Sequence, residues 1–103
     1  MVEFDQLYKL GWRLCARRFR LHKYWEGDLL FTKDNMLIIV ETRSKKNTGM
    51  DARTAAHITA DIFGSATSKS HYTLYYGYLC RTTGRVRGIH QWSADNTVPT
   101  IIV

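Results

Sequence analysis

The chain has 103 residues, which fits one domain with one modest core. Hydrophobic residues make up 45% and charged residues 23%, which excludes a disordered chain, and the longest apolar run, Met36 to Val40, is far too short to span a bilayer. Fifteen Lys and Arg against nine Asp and Glu leave a net charge of +6, a footprint for a polyanion, nucleic acid first, although a merely soluble basic surface has the same composition.

Acids and Lys9 interrupt the N-terminus before any long apolar stretch forms, so no secretory pattern is expected and the protein reads as soluble and cytoplasmic, with no membrane partner. The spacing of Cys15 and Cys80 matches no metal motif, and two buried, reduced thiols are expected, with one structural bridge left open. The four histidines, His22, His57, His71 and His90, show no zinc spacing.

In chain order, Phe4, Leu7 and Tyr8 predict a short helix that Gly11 ends. Trp12 to Phe19 alternates enough to predict a strand, and a basic, aromatic stretch runs from Arg17 to Trp25. Trp25 to Thr32 and Met36 to Arg43 predict two strands, and Ser44 to Met50 a loop. Asp51 is placed to cap a helix running to about Phe63, with Ala55, Ile58 and Ile62 as its apolar stripe. Gly64 to Ser70 reads as a second loop. His71 to Arg81 and Arg85 to Trp92 read as strands around a turn at Thr82 to Gly84. The tail is irregular at Pro99, with Ile101 to Val103 a candidate edge strand. Helix, three strands, helix, two strands predicts a single α/β or α+β domain over residues 1–103, with a mixed central sheet flanked by helices.

EGDLLFTKDNMLIIVETR, residues 26 to 43, places three carboxylates in two apolar strands. Asp34-Asn35 suits a two-residue hairpin loop, since both residue types tolerate positive φ. Lys33 then pairs with Met36, Asp28 lies opposite Glu41, and Glu26 lies opposite Arg43. Alternation puts all four side chains on one patch. Opposed carboxylates repel, so stability does not explain them, whereas a divalent cation held by oxygen ligands does. Such an ion activates water and balances charge on a phosphate being cleaved. A three-residue turn would instead send Asp28 and Glu41 to opposite faces, and an ion-pair cluster around Arg43 needs no metal.

An acid, thirteen positions, then Glu-x-Arg after an apolar strand resembles the PD-(D/E)XK nuclease superfamily and, more narrowly, the YraN family of small predicted endonucleases. The matching residues are EGD, Glu26 to Asp28, then IVETRSKK around Glu41, with GWRLCARRFR, Gly11 to Arg20, similar to the family's preceding segment. GIHQW, Gly88 to Trp92, is loosely compatible with its last strands, and the resemblance covers mainly residues 7–50. It implies a restriction-endonuclease-like core, Asp28 and Glu41 as ligands to Mg²⁺ or Mn²⁺, Glu26 as an assisting acid, and Arg43 orienting water or phosphate where the superfamily has lysine. Arginine's pKa rules it out as a general base. The family's helix Glu has no counterpart in register, Glu3 being misplaced for it; its helix lysine is missing, with His57 and Asp61 near that place; and its next acidic strand position is replaced by YTLYYGY.

Arg17, Arg18, Arg20 and Lys23 precede the acidic patch, Lys45 and Lys46 follow it, and Arg81, Arg85 and Arg87 surround the last turn. All are candidate phosphate contacts. Phe19 and Trp25 are expected in the core, as are Tyr72, Tyr75, Tyr76 and Tyr78, for which a dimer interface is the second reading. The expected function is a small Mg²⁺-dependent endonuclease acting on DNA, structured or branched DNA included. The rivals are a catalytically weak or inactive nucleic-acid-binding module and a protein-interaction module on the same fold.

Overall fold

Leu29-Leu30-Phe31 and Ile38-Ile39-Val40 are all buried, and they sit on neighbouring strands. Consecutive side chains of a strand point to opposite faces, so such runs need cover on both sides of the sheet. The computed structural model, which describes residues 4–23, 25–42, 51–67, 71–80 and 83–93, meets that need with an α+β fold. Among the described residues, two helices, α1 (Asp5–Lys9) and α2 (Ala52–Ala66), accompany strands β1 (Arg13–His22), β2 (Trp25–Lys33), β3 (Met36–Glu41), β4 (Thr73–Cys80) and β5 (Arg85–Gln91). The strands form one mixed sheet in the order β1-β2-β3-β4-β5. Only β3 and β4 are parallel, and α2 lies between them in the chain, as a parallel connection requires.

One face carries Leu29, Phe31, Ile38, Val40 and Val86, packed on Phe4 and Leu7 from the α1 segment. The other carries Leu30, Ile39 and Leu74, packed on Ala60 of α2, with Phe19, Phe63, Tyr72, Tyr76 and Trp92 around them. Tyr75 belongs to the first face and Tyr72 and Tyr76 to the second, in keeping with core roles on both parities. No helix among the described residues is long and apolar enough to cross a membrane.

Several element bounds differ from expectation. β1 continues past Phe19 because its pairing with β2 continues as far as His22↔Trp25. The side chain of Asp51 accepts the Thr54 N–H at 2.8 Å, the expected cap, but α2 runs on to Ala66 rather than stopping near Phe63. Gly64 survives inside it because the Trp92 indole occupies the space of a side chain, only 2.7 Å from where a Cβ would stand. That packing offsets the roughly 1 kcal/mol that glycine costs a helix. The buried residues of α2 are Ala55, Ala56, Ile58, Thr59, Ala60 and Gly64, while Ile62 is only half-buried. Small side chains let the helix lie close on the sheet, so the stripe is set by size more than by hydrophobicity. Cys15 is exposed on the edge strand β1 and Cys80 is half-buried; they are not bridged, and the expectation of two buried thiols fails for Cys15 because it sits in the register shift between Leu14 and Ala16, outside the regular inward alternation. The tail, including Ile101 to Val103, lies outside the described residues.

Candidate active site

The β2–β3 hairpin has the expected register. Lys33 pairs with Met36, and the ladder continues through Leu30↔Ile39 to Leu29↔Val40. The turn differs in detail: Asp34 takes a positive φ of 53°, and Asn35 is not in that region. A left-handed first residue is enough to reverse the chain in two residues.

Beyond Leu29↔Val40 the backbone ladder gives way to side chains. The Asp28 N–H donates to Glu41 Oε2 at 2.9 Å. In return Asp28 Oδ2 accepts both the Thr42 N–H at 2.8 Å and the Thr42 Oγ1 hydroxyl at 2.9 Å. Each carboxylate thus ties down backbone or hydroxyl from the facing strand. This corrects the expectation that stability gives these acids no role. Opposed like charges cost about 0.2–1 kcal/mol, whereas hydrogen bonds to a charged group contribute about 1.5–3 kcal/mol each.

The two carboxylates differ in setting. Glu41 is 0% exposed, while Asp28 is half-buried. Burial of an ionised carboxylate is tolerated only with hydrogen bonds, and the Asp28 N–H supplies one. Asp28 Oδ2 is committed to Thr42, and Oδ1 makes no hydrogen bond to a described residue. Oδ1 therefore has lone pairs to offer a cation, as has Glu41 Oε1, a buried oxygen that accepts no hydrogen bond among the described residues. Asp28 and Glu41 supply two hard oxygen groups from adjacent strands, a donor set that suits Mg²⁺ or Mn²⁺ completed by water. No group of three or more His, Cys, Asp and Glu capable of holding a metal occurs among the described residues.

Glu26 stands apart from this pair. Its neighbour Trp25 sends its indole Nε1–H to Thr59 Oγ1 on α2 at 2.9 Å, and Thr59 passes its own hydroxyl to the Ala55 carbonyl at 2.8 Å. Glu26 is exposed, faces Arg20 of β1 in register, and makes no hydrogen bond or ion pair to Asp28 or Glu41 among the described residues. Convergence of four side chains is thus seen for Asp28 and Glu41; Arg43 lies outside the described residues, as do Lys45, Lys46 and Arg81.

The other candidate cations occupy the two edges of the sheet. Arg17, Arg18, Arg20 and Lys23 are exposed on or just after β1, and Arg20 Nη1 donates to the Lys23 carbonyl at 3.2 Å. Arg18 has a φ of 47°, where β1 twists between Arg17↔Leu29 and Phe19↔Gly27. Arg85 and Arg87 are exposed on β5. Pairing runs from Arg17↔Leu29 through Leu29↔Val40 and Glu41↔Tyr78 to Tyr78↔Arg87. Arg87 therefore lies level with the carboxylates on their face of the sheet, while Arg17, opposite Leu29, lies level with them on the face packed against α1.

His57 lies 3.8 Å from Asp61 and stacks on the Tyr76 ring at 5.0 Å. Asp61 also accepts the Trp92 indole N–H at 2.9 Å. This group stands over the middle of β4, one turn or more along α2 from the end nearest Glu41, and it acts as packing between helix and sheet. A cleft lined by Gly64, Thr67, Tyr72, Thr73, Leu74, Gln91 and Trp92 opens at the far end of α2, away from the carboxylates. Thr42 was not singled out in the sequence; its only signal is a hydroxyl residue between Glu41 and Arg43.

No protein-family model matches the chain, and no curated protein is significantly similar to it.

Proposed function

We propose that the protein is a small metal-dependent endonuclease-like domain that binds DNA and hydrolyses its phosphodiester bonds, on a restriction-endonuclease-like core similar to the YraN family. The observation that carries this reading is the interlock of Asp28 and Glu41 through the Asp28 N–H, with Asp28 Oδ1 left to face a ligand. Asp28 and Glu41 would hold Mg²⁺ or Mn²⁺. Such an ion, when bound, contributes positive charge against phosphate oxygens and makes a bound water more acidic.

The chain's own residues do the rest. Thr42 fixes the Asp28 carboxylate by two bonds to one oxygen, so the other oxygen keeps a constant aim. Glu41, fully buried and bonded to backbone, cannot swing away. Exposed Arg17, Arg18, Arg20, Lys23, Arg85 and Arg87, at the two edges of the sheet, attract the DNA backbone to the region of the pair. Arg43, two residues after Glu41, is assigned the role of neutralising a phosphate oxygen. The direct test is cleavage of linear, single-stranded and branched DNA with and without Mg²⁺ or Mn²⁺, repeated with Asp28→Asn and Glu41→Gln.

A second reading, a DNA-binding module without cleavage, is favoured by one observation: both carboxylates already serve the fold as hydrogen-bond acceptors. Salt-sensitive DNA binding without metal-dependent cleavage selects it.

A further inference from the structure

We propose that Arg53, Tyr78 and Arg87 form a phosphate-binding subsite beside Glu41, a place for one phosphate of a nucleic-acid backbone. The inference rests on the nucleic-acid reading above and adds two residues, Arg53 and Tyr78, to it.

Tyr78 is the hub. It is the Cα partner of Glu41 across β3–β4 and of Arg87 across β4–β5. Directly opposed residues of an antiparallel pair share a face, so the Arg87 and Tyr78 side chains emerge together. The Tyr78 ring lies against Gly88, where an added Cβ would stand 2.5 Å from a ring carbon. Gly88 has a φ of 62° and lies within the register shift that β5 makes opposite Tyr76 and Tyr78. That irregularity seats the ring. The Arg53 guanidinium then lies over the ring, 5.6 Å from its centroid, with Nη2 donating to the Tyr78 hydroxyl at 3.5 Å.

Arg53, stacked on the Tyr78 ring, and Arg87, the ladder partner of Tyr78, are thereby placed on one face of the sheet. Neither Arg53 nor Arg87 forms an ion pair among the described residues. Asp51, the nearest acid in the chain to Arg53, directs its carboxylate to the Thr54 N–H. Arg53 also sits in the first turn of α2, where the helix dipole disfavours a cation. Stacking on Tyr78 and the charge of nearby Asp51 account for the position of Arg53, but not for an exposed arginine without an ion pair opposite Tyr78 on β5. A shared anion accounts for both, and guanidinium forks match phosphate oxygens in geometry as well as charge.

The spacing suits a phosphate that belongs to a nucleic-acid backbone. Strands lie about 4.8 Å apart, so the subsite stands about 5–10 Å from Glu41. A DNA strand advances about 3.4 Å per nucleotide along its axis, and its successive phosphates are farther apart than that, so the gripped phosphate is a near neighbour of one lying over Glu41.

The test uses the full chain with Arg53→Gln, Arg87→Gln and the double variant, and a short fluorescent DNA duplex in EDTA, read by anisotropy over a salt series. Both substitutions are at exposed positions, and thermal melts check that the fold is kept. Each single variant is expected to bind about tenfold more weakly. The double variant is expected to lose less than the product of the two, because both side chains hold one phosphate. Its slope of log affinity against log salt is expected to fall by about 0.9, the contribution of one phosphate. Unchanged affinity and slope in the double variant overturn the subsite and leave the nucleic-acid reading standing. Multiplicative losses with a slope change of about 1.8 overturn the shared phosphate. Wild-type protein that binds no DNA overturns both readings, whereas the expected losses without metal-dependent cleavage keep the subsite and remove the nuclease.

Discussion

The backbone N–H of Asp28 donates to Glu41 Oε2 at 2.9 Å, and this bond joins β2 to β3 where their ladder stops at Leu29↔Val40. A hairpin that would fray at its open end is closed by its two acids. The same bond brings carboxylates thirteen residues apart into one cluster at the carboxyl end of β3, beside β4 and under the first turns of α2. In sheets with a parallel crossover, that end is where ligands are commonly held.

The interlock makes a stability prediction that is independent of catalysis. Glu41→Ala strands the Asp28 N–H and leaves a hole in a fully buried position, and is expected to cost about 2–4 kcal/mol. Glu41→Gln keeps an acceptor of the same shape and is expected to cost about 1 kcal/mol. Urea unfolding midpoints at constant slope give both values.

Thr42 separates hydroxyl from backbone. Thr42→Val removes the Oγ1 donor to Asp28 and keeps the N–H, so a loss of about 1 kcal/mol is expected, with Thr42→Ser near wild type. If Asp28 is a metal ligand, Thr42→Val also weakens Mn²⁺ binding measured by calorimetry, while Thr42→Ser restores it. Equal Mn²⁺ affinity in all three proteins would remove Thr42 from the site.

The helix cap has a pH signature. The hydrogen bond from the Thr54 N–H holds the Asp51 carboxyl below its ordinary value of 3.8. A carboxyl whose folded pKa is depressed contributes stability that is present above the unfolded value and lost as pH falls through the folded one. Asp51→Ala is expected to cost about 1 kcal/mol near neutral pH. The gap between variant and wild type should narrow only below pH 3.8. Thermal melts of both proteins across that range check it; a gap that closes already at pH 5–6, well above the ordinary carboxyl value of 3.8, would assign the effect to another group.

Much of this was legible in the sequence for definite reasons. The Asp34-Asn35 turn fixed the register, and the register brought Asp28 to Glu41. The capping role of Asp51 followed from its side chain. What the pattern hid was long-range. Strict alternation predicts that Glu26 joins the acids, but at Trp25 the hydrogen bond to Thr59 on α2 orients this end of β2. A glycine normally reads as a helix end, but Gly64 is retained inside α2 by a tryptophan twenty-eight residues later. Nor does any local signal connect Arg53 to Tyr78, which meet only because α2 crosses the sheet between β3 and β4.

Gly27 offers a packing test. A Cβ there would collide with the Phe19 ring, which itself packs edge-on to Phe63 of α2. Gly27→Ala is expected to cost about 1–3 kcal/mol. Combining it with Phe19→Leu should lose less than the two separate costs added together, since the smaller side chain removes the collision. Strict additivity in a double-mutant cycle by urea unfolding would contradict this account of the strand pair.

The most direct measurement of the central claim is Mg²⁺- or Mn²⁺-dependent cleavage of linear, single-stranded and branched DNA by the wild-type protein and by Asp28→Asn and Glu41→Gln variants shown to be folded. The account predicts cleavage by the wild type that requires the metal, and a fall of at least about a hundredfold in either variant, as removal of a principal charge-stabilising group in a reacting site commonly gives. Undiminished cleavage by the Asp28→Asn, Glu41→Gln double variant, or no cleavage of any of these substrates by the wild type with either metal, would contradict it.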